Sequence, residues 1–359
     1  MTVPFRVGVM QLTMEPLPEI LRHAHTLDEQ GFDTIWLAEA YPWWRKHQME
    51  ARSSTALSPL IGRETERLAV GWGIISPYTR HPVQVAMDAR VTQEAVGGGR
   101  FYLGFGASKI FMKHIGEGER RPARPRTAVK EAIEIVRGVL SGEQLDYEGR
   151  EFTAHVPPLA DEAETPRDPV PLYVAGTGPR MQELAGEVGD GLLTPSITTP
   201  AFVRYTRENL ARGADGAGRD PEDIDLGCTI VASIGEDRGR GREGAREIAG
   251  MYLANKVQNI QASADTLLEK AELTMDEIRP IAEAMERGGR LAAAREVSDE
   301  ILDKCKPIAG TPEECIAAID EYRGAGCTHV MLELWGDDRN EQIRLFGERV
   351  LPAVRAAVA

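Results

Sequence analysis

Short apolar runs alternate with longer amphipathic segments along the chain. Eight of these runs have the length of β-strands, and they cover residues 6–12, 33–38, 68–76, 101–107, 171–175, 191–194, 226–234 and 329–334. Segments with helical spacing lie between them. This alternation predicts a parallel sheet covered by helices. The count of eight favours a closed α/β barrel, the (β/α)8 or TIM barrel, and an open α/β sheet is the alternative.

The helices are predicted from the spacing of their apolar positions. They cover residues 17–30, 126–140, 179–188, 200–214, 243–272, 311–324 and 341–356. A further helix is expected to begin near Pro82, because proline suits the first helical turn. Pro352 lies inside the last helical segment, where we expect a bend.

Three segments interrupt the alternation, near residues 108–126, 141–169 and 274–297. The first is rich in Arg, Gly and Pro and is interpreted as a long loop. The second contains two β-like pieces, 145–147 and 151–154, which predict an inserted hairpin. The third is helical and charged. Because the alternation resumes after the second segment and again near the C-terminus, we expect one domain over residues 1–359 with three insertions.

The composition is that of an ordinary globular protein, with 42% hydrophobic and 27% charged residues. The net charge of −14 argues against nucleic acid and against an anionic membrane surface as partners. It does not exclude an anionic cofactor, because helix N-termini hold phosphate locally. No apolar stretch approaches the ~20 residues that a membrane helix needs, and no signal peptide is visible. We therefore expect a cytoplasmic protein.

Several common kinds of site have no motif in this sequence. None of the four cysteines forms a CxxC pair, so we expect reduced thiols, with neither a disulfide framework nor a zinc site. There is no metal-ligand cluster, Walker loop, HExxH string or Ser-His-Asp order. The glycines at 97–99 precede a strand, not a helix, and so are not a dinucleotide fingerprint.

The loops that leave the carboxyl ends of the strands form the active face of a parallel barrel. Gly176-Thr177-Gly178-Pro179 follows the fifth strand and opens a helix. Its glycines allow close approach to a ligand, and the helix N-terminus offers unpaired N–H groups, so this turn is chemically a phosphate site. A tight turn without a ligand is the alternative.

Two other strands carry glycines that could make room for the same ligand. The fourth strand ends in Gly104-Phe105-Gly106-Ala107-Ser108, which could open space or could only pack the barrel rim. Gly73 lies inside the third strand, where glycine marks either a close ligand approach or a bend.

Candidate proton donors are few. Glu39 follows the second strand and could act as an acid or base, although a solvated or Arg-paired role is the commoner one. His81 and His114 are further candidates, with a structural role as the alternative. His81 also precedes Pro82, which suggests that it helps to turn the chain.

Together these segments resemble the luciferase-like superfamily. Arg80-His81-Pro82, Ala86 and the run 99–106 (GRFYLGFG) are similar to its signature. The run 170–181 (VPLYVAGTGPRM), with 184–186 and 190–191, is similar to the branch that uses the deazaflavin coenzyme F420, in particular to reductases like methylenetetrahydromethanopterin reductase. Residues 308–314 and 325–327 also match, so the resemblance spans nearly the whole chain.

The resemblance implies a barrel with a flavin or deazaflavin ring across the strand ends. It also implies a non-prolyl cis peptide in the third strand, which by position is Gly73-Ile74, and a phosphate on the Gly176 turn. The implied cofactor-binding residues are Gly73, Ile74, Ile75, Gly106, Ala107, Ser108, Ala175, Gly176, Thr177, Gly178 and Pro179. The implied reaction is hydride transfer between reduced F420 and a small organic substrate, such as a pterin-like C1 carrier.

The chain departs from the family at two reactive positions. A family Asp-His pair aligns with Glu39-Ala40, which keeps the carboxylate and loses the imidazole. The acid that related reductases carry on strand one falls at Met10 or Gln11. We therefore predict that Glu39 or His81 protonates the product.

Other functions stay open on the sequence. They are an FMN-dependent monooxygenase, direct use of a nicotinamide, and a non-catalytic flavin-binding barrel. The resemblance also implies a homodimer, with the helices after strands two and three as candidate interfaces. Trp43-Trp44 could instead wall the substrate pocket.

Overall fold

The computed structural model describes residues 3–39, 51–108, 124–159, 168–258, 262–335 and 339–357. The β-strands in these ranges are β1 (Arg6–Leu12), β2 (Thr34–Ala38), β3 (Ala69–Ile75), β4 (Phe101–Phe105), β5 (Leu145–Glu148), β6 (Thr153–Val156), β7 (Leu172–Ala175), β8 (Gly191–Thr194), β9 (Asp225–Ile234), β10 (Ile308–Gly310) and β11 (His329–Leu334). The apolar runs of the sequence therefore predicted the bounds of every barrel strand closely.

Eight strands close into a parallel ring in the order β1, β2, β3, β4, β7, β8, β9, β11, and β11 pairs back to β1. The predicted (β/α)8 barrel is thus confirmed, and the open sheet is wrong. β10 pairs with the last residues of β9, outside the ring. Because β1 and β11 are neighbours, the ring needs both ends of the sequence.

Helices cover the outside of the barrel. They are α1 (Leu17–Glu29), α2 (Ser54–Glu64), α3 (Pro82–Val96), α4 (Pro125–Ser141), α5 (Pro179–Val188), α6 (Pro200–Gly216), α7 (Arg238–Gln258), α8 (Ala262–Lys270), α9 (Met275–Glu296), α10 (Asp299–Lys304), α11 (Pro312–Gly324), α12 (Arg339–Leu345) and α13 (Leu351–Ala356). The stretch 243–272, which we predicted as helical and interrupted by polar positions, is occupied by two helices, α7 and α8. Within the described ranges, no helix is long and apolar enough to cross a membrane.

The last helical segment is interrupted near its proline, as expected. A π-helical turn, Phe346–Val350, lies between α12 and α13, and Pro352 occupies the first turn of α13. Proline has no N–H for the helical hydrogen-bond ladder, which accounts for the change of pitch directly before it.

The hairpin predicted in the second insertion is present as β5 and β6, an antiparallel pair between α4 and β7. Glu131 of α4 holds its turn: the carboxylate accepts N–H bonds from Arg150, Glu151 and Phe152 at 2.8, 2.9 and 2.9 Å. Most of the predicted loop 108–126 lies outside the described residues.

The third predicted insertion is the helical segment α9, which is broken at Gly289 with a φ of 71°. Its apolar face packs in a hydrophobic cluster separate from the main core, where Ile281 and Met285 meet residues of α7 such as Ile248. The segment therefore adds a packed layer beside the barrel.

Large aromatic side chains fill the inside of the barrel where neighbouring strands carry glycine. A Cβ on Gly71 would lie 2.4 Å from the Trp36 ring, and a Cβ on Gly191 would lie 2.1 Å from the Tyr173 ring. Both rings are almost fully buried and meet edge to face, with centroids 5.0 Å apart. The glycines therefore make room for a packed interior.

A polar network closes the amino-terminal end of the barrel. Arg6 forms a 2.5 Å ion pair with Asp225, and the Tyr173 hydroxyl donates to Asp225 at 2.7 Å. Burial acts to raise the pKa of Asp225, but the bond to His329 and the charge of Arg6 outweigh it, so that the pKa is lowered. With this end filled, space for a ligand lies at the carboxyl ends of the strands.

Candidate functional site

A cavity of about 410 Å³ lies at the carboxyl ends of the barrel strands. Seven of the eight barrel strands, or the loops that follow them, contribute to its wall, together with α7. The lining residues are Met10, Leu12, Ala38, Glu39, Gly73, Ile74, Gly106, Ala107, Ser108, Ala175, Gly176, Thr177, Leu193, Thr194, Pro195, Ser196, Thr229 and Tyr252. This is the face where α/β barrels bind their ligands.

The floor of the cavity contains an unusual backbone feature. The Gly73-Ile74 peptide bond is cis, which confirms the position expected from the resemblance. The pairing of β3 with β4 shifts between Gly73 and Ile75, so the strand bulges there. A Cβ on Gly106 would lie 3.0 Å from the Ile74 side chain, so this glycine lets the bulge pack against β4.

Most of the expected cofactor-binding residues come together in this wall, but three do not. Ile75 is buried in the main core, because successive side chains of a strand point to opposite faces. Gly178 and Pro179 follow the wall residues Gly176 and Thr177 without lining the cavity. The expected contact of Ile75 with the cofactor has no support in this geometry, and the expected contacts of Gly178 and Pro179 with its phosphate stay predictions.

The Gly176 turn leads directly into α5. Gly178 is the N-cap of that helix and provides no side-chain cap. The first N–H groups of α5 therefore have no side-chain acceptor at the cap, and they add to the positive end of the helix dipole. A Cβ on Gly176 would lie 2.4 Å from the Met181 Cβ, so glycine is needed for the turn to fold onto the helix.

Glu39 lines the cavity, and both of its carboxylate oxygens are bonded. Oε1 accepts from Arg80 Nη1 at 2.8 Å, and Oε2 accepts from the N–H of Ser54 at 2.9 Å. This is the Arg-paired arrangement that we considered for Glu39 as the alternative to a role as an acid or base.

His81 lies outside the cavity wall. It is the N-cap of α3, where its Nδ1 accepts from the N–H of Val83 at 3.2 Å. Its ring meets Phe152 edge to face at 5.7 Å. The expectation that His81 turns the chain fits this geometry, and a catalytic role for His81 stays a prediction that the geometry does not support.

The strand-one position that carries an acid in related reductases has none here. Met10 lines the cavity, and Gln11 is buried with its Nε2 donating to Glu15 Oε2 at 2.8 Å. Ala40, Trp43, Trp44 and His114 lie outside the described residues.

Sequence reasoning missed an acid behind the wall. Glu333, on β11, is fully buried, and its Oε2 accepts from the Ser196 hydroxyl at 2.6 Å while its Oε1 accepts from the Tyr252 hydroxyl. Burial raises the pKa of Glu333 to about 7, against the opposing effects of Ser196, Tyr252 and Arg339. The signal for it is a lone carboxylate in the apolar strand HVMLEL.

Other reactive groups of the described residues lie apart from this cavity. All four cysteines are free and buried. In the ranges that the structure covers, no group of three or more His, Cys, Asp or Glu is placed to hold a metal ion.

The fold and the cavity together define a (β/α)8-barrel protein with a ligand site built by its strand ends. The chain belongs to the luciferase-like monooxygenase family, whose model matches residues 1–329. The resemblance found in the sequence is thereby confirmed.

Individual relatives are similar over nearly their whole length. The chain is 27% identical to a 5,10-methylenetetrahydromethanopterin reductase of Archaeoglobus fulgidus, covering 94% of this chain and 96% of the relative. It is 26% identical to an F420-dependent glucose-6-phosphate dehydrogenase of Amycolatopsis mediterranei, covering 94% and 95%. The solved structure of a coenzyme F420 dependent tetrahydromethanopterin reductase from Methanopyrus kandleri superposes with a TM-score of 0.84 at 24% identity, covering 98% and 99%, which supports the fold.

Proposed function

We propose that this protein is an F420-dependent oxidoreductase that transfers a hydride between the reduced deazaflavin and a small organic substrate. One observation carries the proposal: a single cavity joins an apolar floor at Gly73 and Ile74 to the Gly176-Thr177 turn that leads into α5. Relatives named for coenzyme F420, at about a quarter identity over nearly the full chain, support it.

The residues of the cavity fit such a cofactor. Met10, Ile74 and Leu193 offer an apolar floor for a flat ring, and they exclude water from its buried face. The turn at Gly176 and Thr177, followed by the start of α5, suits a phosphate. When bound, the reduced deazaflavin would supply a hydride.

The chain's own groups would orient the reactants and supply protons. The pair of Glu39 and Arg80 lies at the wall, where it can position a polar substrate. Thr194, Ser196, Thr229 and Tyr252 add hydroxyl groups on the opposite side. As the first substrate to test we propose a pterin-like C1 carrier, since a reductase named for such a molecule is among the similar proteins.

Binding measurements test the cofactor directly. The purified full-length protein is titrated separately with F420, FMN and NADPH, and ligand fluorescence and protein fluorescence are recorded. We expect F420 to bind at micromolar concentration and FMN to bind much more weakly. Tight FMN carried through purification would favour a monooxygenase, NADPH binding a nicotinamide enzyme, and no binding of any cofactor would contradict the proposal.

A homodimer is also proposed. Three large apolar side chains are exposed on neighbouring helices: Leu60 of α2 at 45%, and Met87 and Val91 of α3 at 58% each. Met87 and Val91 are four residues apart and so lie on one face of α3. Contiguous exposed apolar surface of this kind is typical of an interface between subunits.

A further inference from the structure

Glu333 lies directly behind the wall of the cavity. It does not line the cavity, but Ser196 and Tyr252, whose hydroxyls bond to its carboxyl group, are both lining residues. Ser196 follows β8, and Tyr252 lies on α7. The buried carboxyl group is therefore one hydrogen bond away from the cavity along two routes.

The surroundings of Glu333 provide little compensation for a negative charge. Arg339, a cation whose charge acts on Glu333, forms its ion pair with Glu15. The β9 residue opposite Glu333 is Val231, and the one charged residue of β1, Arg6, is bonded to Asp225 at the far end of the barrel. A carboxyl group buried in this way keeps its proton to higher pH.

Two further titratable groups, Tyr252 and Lys256, lie in the last three turns of α7, the helix that contacts Glu333. Burial raises the pKa of the Tyr252 hydroxyl well above its usual range, and burial lowers the pKa of Lys256, one turn farther along α7, to about 8. The pKa of Glu333, about 7, lies below both. Glu333 is therefore the first of the three to change its protonation state as the pH rises through neutrality.

We propose that Glu333 is the proton reservoir of the cavity, and that it exchanges its proton with the bound substrate through the hydroxyl of Tyr252 or Ser196. Glu333 is thus a positioning residue, since it acts through groups that line the cavity. The inference rests on the proposed function, because it supplies the proton that hydride transfer requires.

The protons and electrons balance as follows in the direction of reduction. The substrate gains a hydride, with its two electrons, and one proton; the bound deazaflavin would supply the hydride, and its remaining hydrogen would leave to solvent as a proton. The substrate's proton comes from the hydroxyl of Tyr252 or Ser196, whose O–H bond breaks as the new bond forms. For this step the protonated carboxyl group of Glu333 donates its O–H to the oxygen of that hydroxyl, the reverse of the bond that it accepts as a carboxylate. It thereby restores the hydroxyl and becomes a carboxylate, which takes up a proton from solvent before the next turnover.

Infrared titration of the full-length protein without cofactor tests the reservoir. The carbonyl band of a protonated carboxylic acid is followed with pH in the wild type and in Glu333→Gln. We expect a band that titrates near pH 7 in the wild type and is absent from the variant. A Glu333 band that has disappeared before the pH reaches about 5 would overturn the proposal, because the group would then be ionised like an ordinary glutamate.

The relay is tested in variants that retain Glu333. Tyr252→Phe and Ser196→Ala each remove one hydrogen bond that favours the charged carboxylate, so each should move the midpoint of the band to higher pH. These two variants also keep the test decisive if Glu333→Gln does not fold. An unchanged midpoint in both would show that the hydroxyls do not contact the carboxyl group.

Kinetics then separate the reservoir from the cofactor site. With a substrate that oxidises reduced F420, Glu333→Gln should lower kcat by about 100-fold and remove the pH limb near 7, while the Kd for F420 stays within about twofold of the wild type. Unchanged kcat and pH profile would refute the reservoir. Failure of the wild type to bind F420 would refute the proposed function instead, whatever the infrared result.

The chain offers a matched control in Glu134. Its Oε2 accepts from the Tyr147 hydroxyl at 2.5 Å, so it forms a similar glutamate–tyrosine pair away from the cavity. Glu134→Gln should leave the kinetic pH profile and the titration near pH 7 as they are in the wild type.

Discussion

His81 belongs to the family signature, but in the structure its side chain caps a helix. It accepts an N–H bond from Val83 at the start of α3, so its ring nitrogen performs the task of an N-cap. Loss of an N-cap typically costs about 0.5–2 kcal/mol of stability. Its place outside the cavity wall predicts an effect on stability, not on chemistry.

We therefore expect His81→Ala to lower the free energy of unfolding by about 1 kcal/mol, and His81→Asn to restore most of it, because asparagine is a good N-cap. Urea unfolding measures the stability, and turnover with the bound cofactor is measured in parallel. Turnover that is lost in His81→Asn, while stability is retained, would return His81 to the list of catalytic candidates.

Glu333 makes the stability of the protein depend on pH. Its pKa is about 7 in the folded protein and about 4.3 in an unfolded chain. The folded state therefore holds the proton longer, and this group's contribution to stability falls as the pH rises through this window. The full difference between the two pKa values corresponds to about 4 kcal/mol at most.

We predict that the difference in the free energy of unfolding between Glu333→Gln and the wild type changes in favour of the variant as the pH rises from 5 to 8. The expected change is roughly 1–3 kcal/mol. Other titrating groups are common to both proteins and cancel in the difference. Urea unfolding at several pH values measures it. A constant difference across that range would mean that Glu333 titrates normally.

At the scale of elements, the barrel interior depends on glycines opposite large rings. Gly71→Ala would bring a methyl group to 2.4 Å from Trp36, which is closer than atoms can pack. Overpacking of this kind typically costs about 1–3 kcal/mol. Gly324→Ala is a matched control, since a Cβ there meets no atom within 4 Å.

We expect Gly71→Ala to lower the thermal midpoint by several degrees, and Gly324→Ala to leave it unchanged or slightly raised, because alanine favours the helix. Thermal unfolding followed by circular dichroism measures both. Equal midpoints for the two variants would mean that β3 can move away from Trp36 at little cost.

The N-terminus of α5 is the element on which the cofactor's phosphate would lie. Thr177→Glu places a negative charge beside it, and Thr177→Gln is the neutral variant of the same size. Because like charges repel at short range, we expect Thr177→Glu to weaken F420 binding by about 10-fold or more. Thr177→Gln should weaken it much less.

Fluorescence titration with F420 measures both Thr177 variants. If the two bind equally well, the charge of the side chain does not matter, and the phosphate lies elsewhere. If both fail to bind while remaining folded, the space at Thr177 is the limiting factor and the comparison of charge is repeated with Thr177→Asp and Thr177→Asn.

The elements themselves were predictable where local signals agree. β1, β8 and β11 match their apolar runs residue for residue. The bounds of α2 were not predicted, because Pro59 and Gly62 interrupt its pattern, although Leu57 and Ile61 bury a regular helical face. The helical stretch 243–272 was predicted with interruptions, but its composition did not locate the break between α7 and α8.

The site was predictable only where a motif lies within one loop. The strand-end glycines were found in this way, and the position of the cis bond came from the resemblance to the family, whereas Glu333 was not found. Its hydroxyl partners lie 81 and 137 residues away in the sequence, so only the closed ring brings them together. The closed barrel also determines which side chains of β11 point inward, and hence whether its carboxylate lies near the cavity.

At the scale of the molecule, the ring joins the first strand to the last. β1 pairs with β11, so a cut anywhere in the ring would leave strand edges unpaired. We therefore propose that residues 1–359 form one domain. Localisation in the cytoplasm and the absence of nucleic-acid partners stay predictions from the sequence.

The proposed homodimer is tested by light scattering coupled to size exclusion. We expect the wild type to have twice the mass of one chain, and Met87→Arg with Val91→Arg to shift it toward one chain, because buried unpaired charges disfavour association. Leu291→Arg, another exposed apolar residue at 59% that lies on α9, serves as the control. A monomeric wild type would contradict the proposal.

The filled amino-terminal half of the barrel determines how ligands enter and leave the cavity. Trp36, Tyr173 and the pair of Arg6 and Asp225 occupy the axis below the cavity, so within the part of the chain that the structure describes, a molecule reaches the floor and leaves it from above. A molecule that binds second would lie over the molecule that already occupies the floor of the cavity. A flat cofactor on the floor would then be first to enter and last to leave, and initial-rate kinetics should show a compulsory order of binding.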